Sequence, residues 1–149
     1  MAFRNVDTSN LTENNLQAIL SILDKSMVDF YPTGSRYFGT ANQYSDWDYF
    51  TVEDRATEGW LVGYGFREII NRDNSYYLDD ACVKVYRWES GDPGRHVDVQ
   101  FIYAHMMEVK KKAQVALRNC PFNWSLHVNH GFKSRAQFWN WLYSMCKEK

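Results

Sequence analysis

Leu16, Ile19, Leu20 and Leu23 recur at intervals of three and four residues, which predicts an amphipathic helix over roughly 11 to 26. Ser9 or Asn10 is placed to cap it. The apolar run Met27 to Tyr31 stops at Pro32, and a residue before proline is biased to extended backbone, so Tyr31 reads as a strand end. Asp46 to Val52 is rich in aromatic and β-branched residues and follows the polar run Asn42 to Ser45, which predicts a strand. The stretch Val52 to Asn71 is partly helical, interrupted by Gly59, Gly63 and Gly65, and Asn71 to Asp80 is loop-like. Within that loop, Tyr76 and Tyr77 are expected to pack on the sheet, with stacking on a nucleobase as the alternative.

Residues 82 to 88 and 96 to 102 read as two strands, and the turn-rich Glu89 to Arg95 joins them into an antiparallel hairpin. If one face of the hairpin is buried, Val83 and Val85 share it with Val97, Val99 and Phe101. Val85 then pairs with Val99, Tyr86 stands opposite Asp98, and Lys84 stands opposite Gln100. His96, Asp98, Gln100, Lys84 and Tyr86 would form the polar face. Met106, Val109, Ala113 and Leu117 predict a further helix, with Lys110, Lys111 and Lys112 on its solvated side or against RNA or a partner. Ser134 and Gln137 resemble a capping box for a last helix carrying Phe138, Trp139, Trp141, Leu142, Tyr143 and Met145. Aromatics this dense exceed one buried stripe, so the surplus is a candidate surface for a partner protein or a second copy.

Composition narrows this picture. The 149 residues suffice for one domain, read as residues 1–149, and 45% hydrophobic with 17% aromatic content argues for a packed core. The fold class expected is α+β, a short mixed β-sheet with helices packed on it. A net charge of −1 gives no general electrostatic grip on nucleic acid. Cys82, Cys120 and Cys146 lack zinc-ligand spacing, and with no signal peptide or membrane-length apolar run the expectation is a cytoplasmic protein with reduced thiols.

The chemistry concentrates between residues 34 and 48. On a strand, Asp46 and Asp48 point to one face while Trp47 and Tyr49 point to the other. Adjacent carboxylates repel unless a cation or water intervenes, and Mg²⁺ or Mn²⁺ shared with substrate phosphates suits such a pair. The alternative is a solvated acidic edge. Ten residues separate this pair from Gly34-Ser35. A Gly-Ser turn lets backbone N–H groups approach a phosphate, with the Ser35 hydroxyl as a further donor and Arg36 as a charged fork. A plain turn with Arg36 in water is the competing reading. Asp98 supplies a third carboxylate inside the apolar run Val97-Asp98-Val99. Lys84 is either its cross-strand charge partner or a contact to the nucleotide phosphates, and His96 reads as a surface residue at a strand end, with a base or substrate role as the alternative.

Thr33-Gly34-Ser35, then Asp46-Trp47-Asp48, then Asp98 on a later strand resembles the signature of the DNA polymerase beta superfamily of nucleotidyltransferases. The wording from Gly34 to Asp48 is especially similar to the minimal nucleotidyltransferase branch, which holds toxin-like and antitoxin-like members as well as orphan enzymes. The close match is confined to those residues and the Asp98 strand, and Trp47 is bulkier than the usual aliphatic residue between the two acids. The resemblance implies that Asp46, Asp48 and Asp98 hold two Mg²⁺ or Mn²⁺ ions, with Asp98 helping to deprotonate the incoming hydroxyl. It implies an NTP bound at Gly34, Ser35, Arg36 and Lys84, and transfer of a nucleoside monophosphate to an acceptor with release of pyrophosphate. The acceptor expected is an RNA 3′ end, a protein hydroxyl or a small molecule. A nucleotide-binding or antitoxin-like interaction module with little turnover is the rival reading, and a chance motif in an unrelated α+β domain is a third.

Overall fold

In a computed structural model of the chain, the residues described are 16–39, 41–43, 45–69, 79–90, 96–119 and 135–147. Five strands form one mixed sheet in the order β1-β2-β5-β4-β3. They are β1 (Tyr31–Thr33), β2 (Trp47–Val52), β3 (Arg67–Glu68), β4 (Cys82–Glu89) and β5 (His96–Ile102). The helices are α1 (Leu16–Lys25), α2 (Gly34–Phe38), α3 (Arg55–Gly63), α4 (Met107–Arg118) and α5 (Arg135–Lys147). The α+β class with a mixed sheet is therefore the observed architecture. The expected loop tyrosines Tyr76 and Tyr77, the caps at Ser9, Asn10 and Ser134, the hairpin turn at 91–95 and Cys120 lie outside the described residues.

Helices cover both faces of the sheet. On one face α4, the 3-10 turn Ala104–Met106 before it and α5 pack Met106, Val109, Ala113, Leu117, Phe138, Trp139 and Tyr143 against Phe50, Val85 and Ile102. On the other, α1 and α3 pack Leu16, Ile19, Ile22, Leu23 and Leu61 against Tyr86, Trp88, Val97, Val99 and Phe101. Each large apolar side chain so buried stabilises the fold by about 1.5–3 kcal/mol. Trp47 and Tyr49 pack toward the α1 and α3 side, as the alternation along β2 requires. Pro32 lacks an N–H and sits on the edge strand β1, where no ladder bond needs one. Asp54 caps α3, its carboxylate accepting from the Thr57 backbone N–H at 3.1 Å.

Covering both faces overturns the expected hairpin register. Val85 pairs with Gln100, Tyr86 with Val99, and Arg87 with Asp98, and the ladder shifts irregularly between Cys82 and Lys84. The expected register assumed one apolar face. With a core on each side, Tyr86 and Trp88 join the valines of β5 on the α1 and α3 side, whereas Val85 turns toward α4. Arg87, not Tyr86, then stands opposite Asp98, which supplies the buried carboxylate with a cation.

The lysine run on α4 also departs from expectation. Lys112 is exposed and Lys111 partly so, lying 4.6 Å over the Tyr31 ring, but Lys110 is only 2% exposed. It lies i+4 from Met106 and i−3 from Ala113, inside the buried stripe. Its Nζ stands 4.3 Å from the Trp139 ring centroid and donates to Tyr143 Oη at 3.1 Å. Tyr143 in turn donates to Asp79 Oδ2 at 3.1 Å, and Asp79 Oδ1 accepts from the Ala81 and Cys82 N–H groups. The aromatic surplus on α5 divides as expected: Phe138, Trp139 and Tyr143 are core, while Trp141 and Met145 are 46% and 43% exposed.

Candidate functional site

Two segments, the run into β2 and strand β5, carry the predicted carboxylates. β2 and β5 run parallel with Asp48 in register with Asp98, so both side chains project toward the α4 and α5 side, the side of Phe50 and Ile102. Asp46, two residues before Asp48, precedes β2 and accepts a hydrogen bond on Oδ1 from the His96 backbone N–H at 2.7 Å. That bond ties the loop before β2 to the start of β5. Burial pushes the Asp46 carboxyl above its ordinary value. The His96 N–H and the His96 charge oppose that rise, the Asp98 charge adds to it, and the Arg87 charge opposes it.

The Gly-Ser turn closes one side of this group. β1 ends at Thr33, and Gly34 opens α2 with φ +71°, a left-handed conformation that favours glycine. A Cβ at Gly34 would stand 2.9 Å from Asp48 Cγ, so the absent side chain is what lets the turn and the carboxylate meet. α2 ends at Gly39, whose φ of +84° gives the left-handed cap and whose N–H reaches the Ser35 carbonyl at 2.9 Å. The turn is braced from behind: Gln114 on α4 accepts from Thr33 Oγ1 and donates to the Pro32 carbonyl at 2.9 Å.

Arg36 and Lys84 take different roles from those expected. The Arg36 guanidinium donates to the carbonyls of Asp46 at 3.2 Å and Ser45 at 2.7 Å, and its carbon lies 3.6 Å over the Trp47 ring. It shapes the loop that presents Asp46, which accounts for the bulky residue between the two aspartates: Trp47 is the platform for Arg36. Lys84 lies on the opposite face of the sheet. Its Nζ pairs with Glu58 of α3 at 2.9 Å, and Tyr86 Oη donates to the same oxygen at 3.0 Å. The Lys84 ammonium is held above its ordinary value by its bond to Glu58, and burial together with the phenol's own bond to Glu58 pushes Tyr86 up to about 12. Lys84 is thus neither a partner of Asp98 nor near Gly34 and Ser35, because the register shift and the bulge turn it to the other side.

The residue that sequence reasoning missed is Arg87. Its Nε donates to Asp98 Oδ1 at 2.8 Å and its Nη2 to Oδ2 at 3.0 Å, a two-pronged fork. Asp98 is 1% exposed, so the fork neutralises a charge that has almost no water. Charge complementarity between Arg87 and Asp98 was the signal that would have chosen the correct register. His96 is half-buried, and its Nδ1 is buried without a hydrogen-bond partner among the described residues.

Asp48 and Asp98 on one face, with Asp46 two residues before Asp48, offer hard oxygen donors that suit a divalent cation in chemistry. The side chains do not close round one as they stand, and among the described residues no three His, Cys, Asp or Glu groups are gathered at metal-binding separation. His96 N–H holds one oxygen of Asp46, and the Arg87 fork holds both of Asp98. Among the described residues no helix is long and apolar enough to cross a membrane. Compared with protein-family models, curated proteins and solved structures, the chain matches none of them.

Proposed function

We propose that the protein is a metal-dependent nucleotidyltransferase that moves a nucleoside monophosphate from an NTP to an acceptor hydroxyl and releases pyrophosphate. The observation that supports this reading is the meeting of Gly34, Asp48 and Asp98: a side-chain-free turn against one carboxylate, which is in register with the other. Asp46 and Asp48 would hold Mg²⁺ or Mn²⁺, with Asp98 as the further ligand. When bound, the cation would neutralise phosphate charge and lower the pKa of the attacking hydroxyl. Gly34 admits the phosphates to the backbone and Ser35 offers a hydroxyl donor. Arg36 and His96 fix Asp46 through its carbonyl and its carboxylate. The rate enhancement then comes from positioning and charge neutralisation. The acceptor is an RNA 3′ end, a protein hydroxyl or a small molecule, and Trp141 and Met145 offer a surface for a partner or a second copy.

The Arg87 fork favours a second reading, a nucleotide-binding or interaction module with little turnover, because it keeps Asp98 neutralised without metal. Equilibrium binding of each NTP with and without Mn²⁺ separates the readings when combined with a turnover assay. An enzyme shows metal-dependent binding that Asp48→Asn abolishes, together with pyrophosphate release in the presence of its acceptor. A nucleotide-binding module shows the binding without the release. Absence of both overturns the proposal.

A further inference from the structure

Asp98 is a buried carboxylate with a full-strength counter-ion already in place, which is unusual for a residue meant to serve a second cation. The guanidinium of Arg87 lies along both carboxylate oxygens, so a divalent ion on either oxygen would stand against a fixed positive charge in a poorly hydrated place. The two cations therefore compete. Arg87 itself is less confined than its partner: its side chain is 26% exposed against 1% for Asp98. It sits on the same sheet face as Asp48 and Asp98, and its charge is felt at Asp46. Its cross-strand neighbour on the edge strand β3 is Arg67, so two guanidinium-bearing residues are paired at that end of the sheet, Arg67 also donating to the Phe66 carbonyl at 2.8 Å. Like charges at paired positions repel, which favours an anion close to them.

We infer that Arg87 is an exchangeable counter-ion: it holds Asp98 in the nucleotide-free protein and yields it to a divalent cation when a polyphosphate arrives to receive the guanidinium. The inference rests on the reading of the site as one for metal and nucleotide. It adds a phosphate-binding residue to that site and makes the two ligands interdependent. Metal alone binds weakly because it must displace Arg87 without offering it a new partner. Polyphosphate supplies that partner, so each ligand strengthens the other by the same factor.

The test measures Mn²⁺ binding by the loss of the free-ion electron paramagnetic resonance signal, with thermal unfolding in parallel. The probes are Mn²⁺ alone and Mn²⁺ with inorganic tripolyphosphate, which carries no base. The proteins are the wild type, Arg87→Lys, Arg87→Met and the double variant Arg87→Met with Asp98→Asn. Arg87→Met should bind Mn²⁺ alone roughly tenfold or more tightly than the wild type, within the usual range for linked sites. It should melt lower without metal and regain stability as Mn²⁺ is added. Its gain in Mn²⁺ affinity from tripolyphosphate should shrink. Arg87→Lys keeps the charge but not the fork and should fall between. The double variant removes both charges together and should show no gain in Mn²⁺ affinity. Equal Mn²⁺ affinity in the wild type, Arg87→Lys and Arg87→Met overturns the exchange while leaving the metal-dependent site standing. Absence of Mn²⁺ binding in every protein, with or without tripolyphosphate, overturns both.

Discussion

A methyl group at Gly34 would meet Asp48 on a backbone whose φ of +71° already disfavours side chains. Gly34→Ala is therefore expected to lower stability by about 1–2 kcal/mol, the usual cost of a left-handed residue, and to displace the Asp48 carboxylate. Urea unfolding checks the first effect and Mn²⁺-dependent NTP binding the second. Lys110 poses the opposite case. Burial pushes its ammonium below the ordinary lysine value, the charges of Asp79, Cys82 and Asp48 opposing this. The folded state therefore sheds its proton at a lower pH than the unfolded chain. The cost of the buried charge is fully present below the folded value and fades as pH rises toward 10.5. Asp79 keeps its bonds from Ala81, Cys82 and Tyr143 without the lysine. Lys110→Met should then stabilise the protein by about 1 kcal/mol near neutrality, and the gain should shrink toward pH 10. Denaturant midpoints at pH 7 and 9.5 decide it, and a lower midpoint at pH 7 contradicts the assignment. The aspartates and Gly34 were legible in the sequence because a motif and a strand period mark them. Lys110 was not, because three consecutive lysines look like one solvated face unless the helix stripe is counted position by position.

At the level of elements, the hairpin shows why a strand pattern identifies strands more readily than registers. β4 and β5 were readable from their β-branched residues, and the parallel pairing of β2 with β5 brings Asp98 beside Asp48. The pairing of β4 with β5 was misread because alternation selects a register only when a single face is apolar. Here Val85 and Tyr86 are both buried, on opposite sides. That slip exchanged Arg87 for Tyr86 opposite Asp98 and assigned Lys84 to the wrong face. Lys84→Met should accordingly leave Mn²⁺-dependent NTP affinity within about twofold of wild type, and cost no more than about 1 kcal/mol for the partly exposed pair with Glu58. Nucleotide titration and urea unfolding measure the two quantities, and a large loss of affinity would return Lys84 to the site. The helices α4 and α5 depend on a different contact. Tyr143→Phe removes the hydroxyl that joins Lys110 to Asp79 and should cost about 1–3 kcal/mol, read from the thermal midpoint converted at the measured unfolding enthalpy.

Across the whole molecule, the candidate site draws on residues far apart in sequence: Gly34 from the β1–α2 turn, Asp46 just before β2, Asp48 from β2, Asp98 and Arg87 from the β5–β4 pair. Helices cover both faces of the sheet, with Gln114 of α4 bonded to the edge strand and Arg36 to the loop before β2. The α+β class could be anticipated because it rests on local pattern, and Asp48 and Asp98 could be placed on strands for the same reason. The counter-ion could not, because it depends on which residues of two strands face each other. The central claim is that this grouping transfers a nucleotide. The most direct test incubates the protein with each α-³²P-labelled NTP and Mg²⁺ or Mn²⁺, with total cellular RNA and protein as acceptors, beside the Asp46→Ala and Asp48→Ala double variant. Label is expected on one acceptor class with the wild type alone. Absence of label on every acceptor with all four nucleotides, or equal labelling by the double variant, would contradict it.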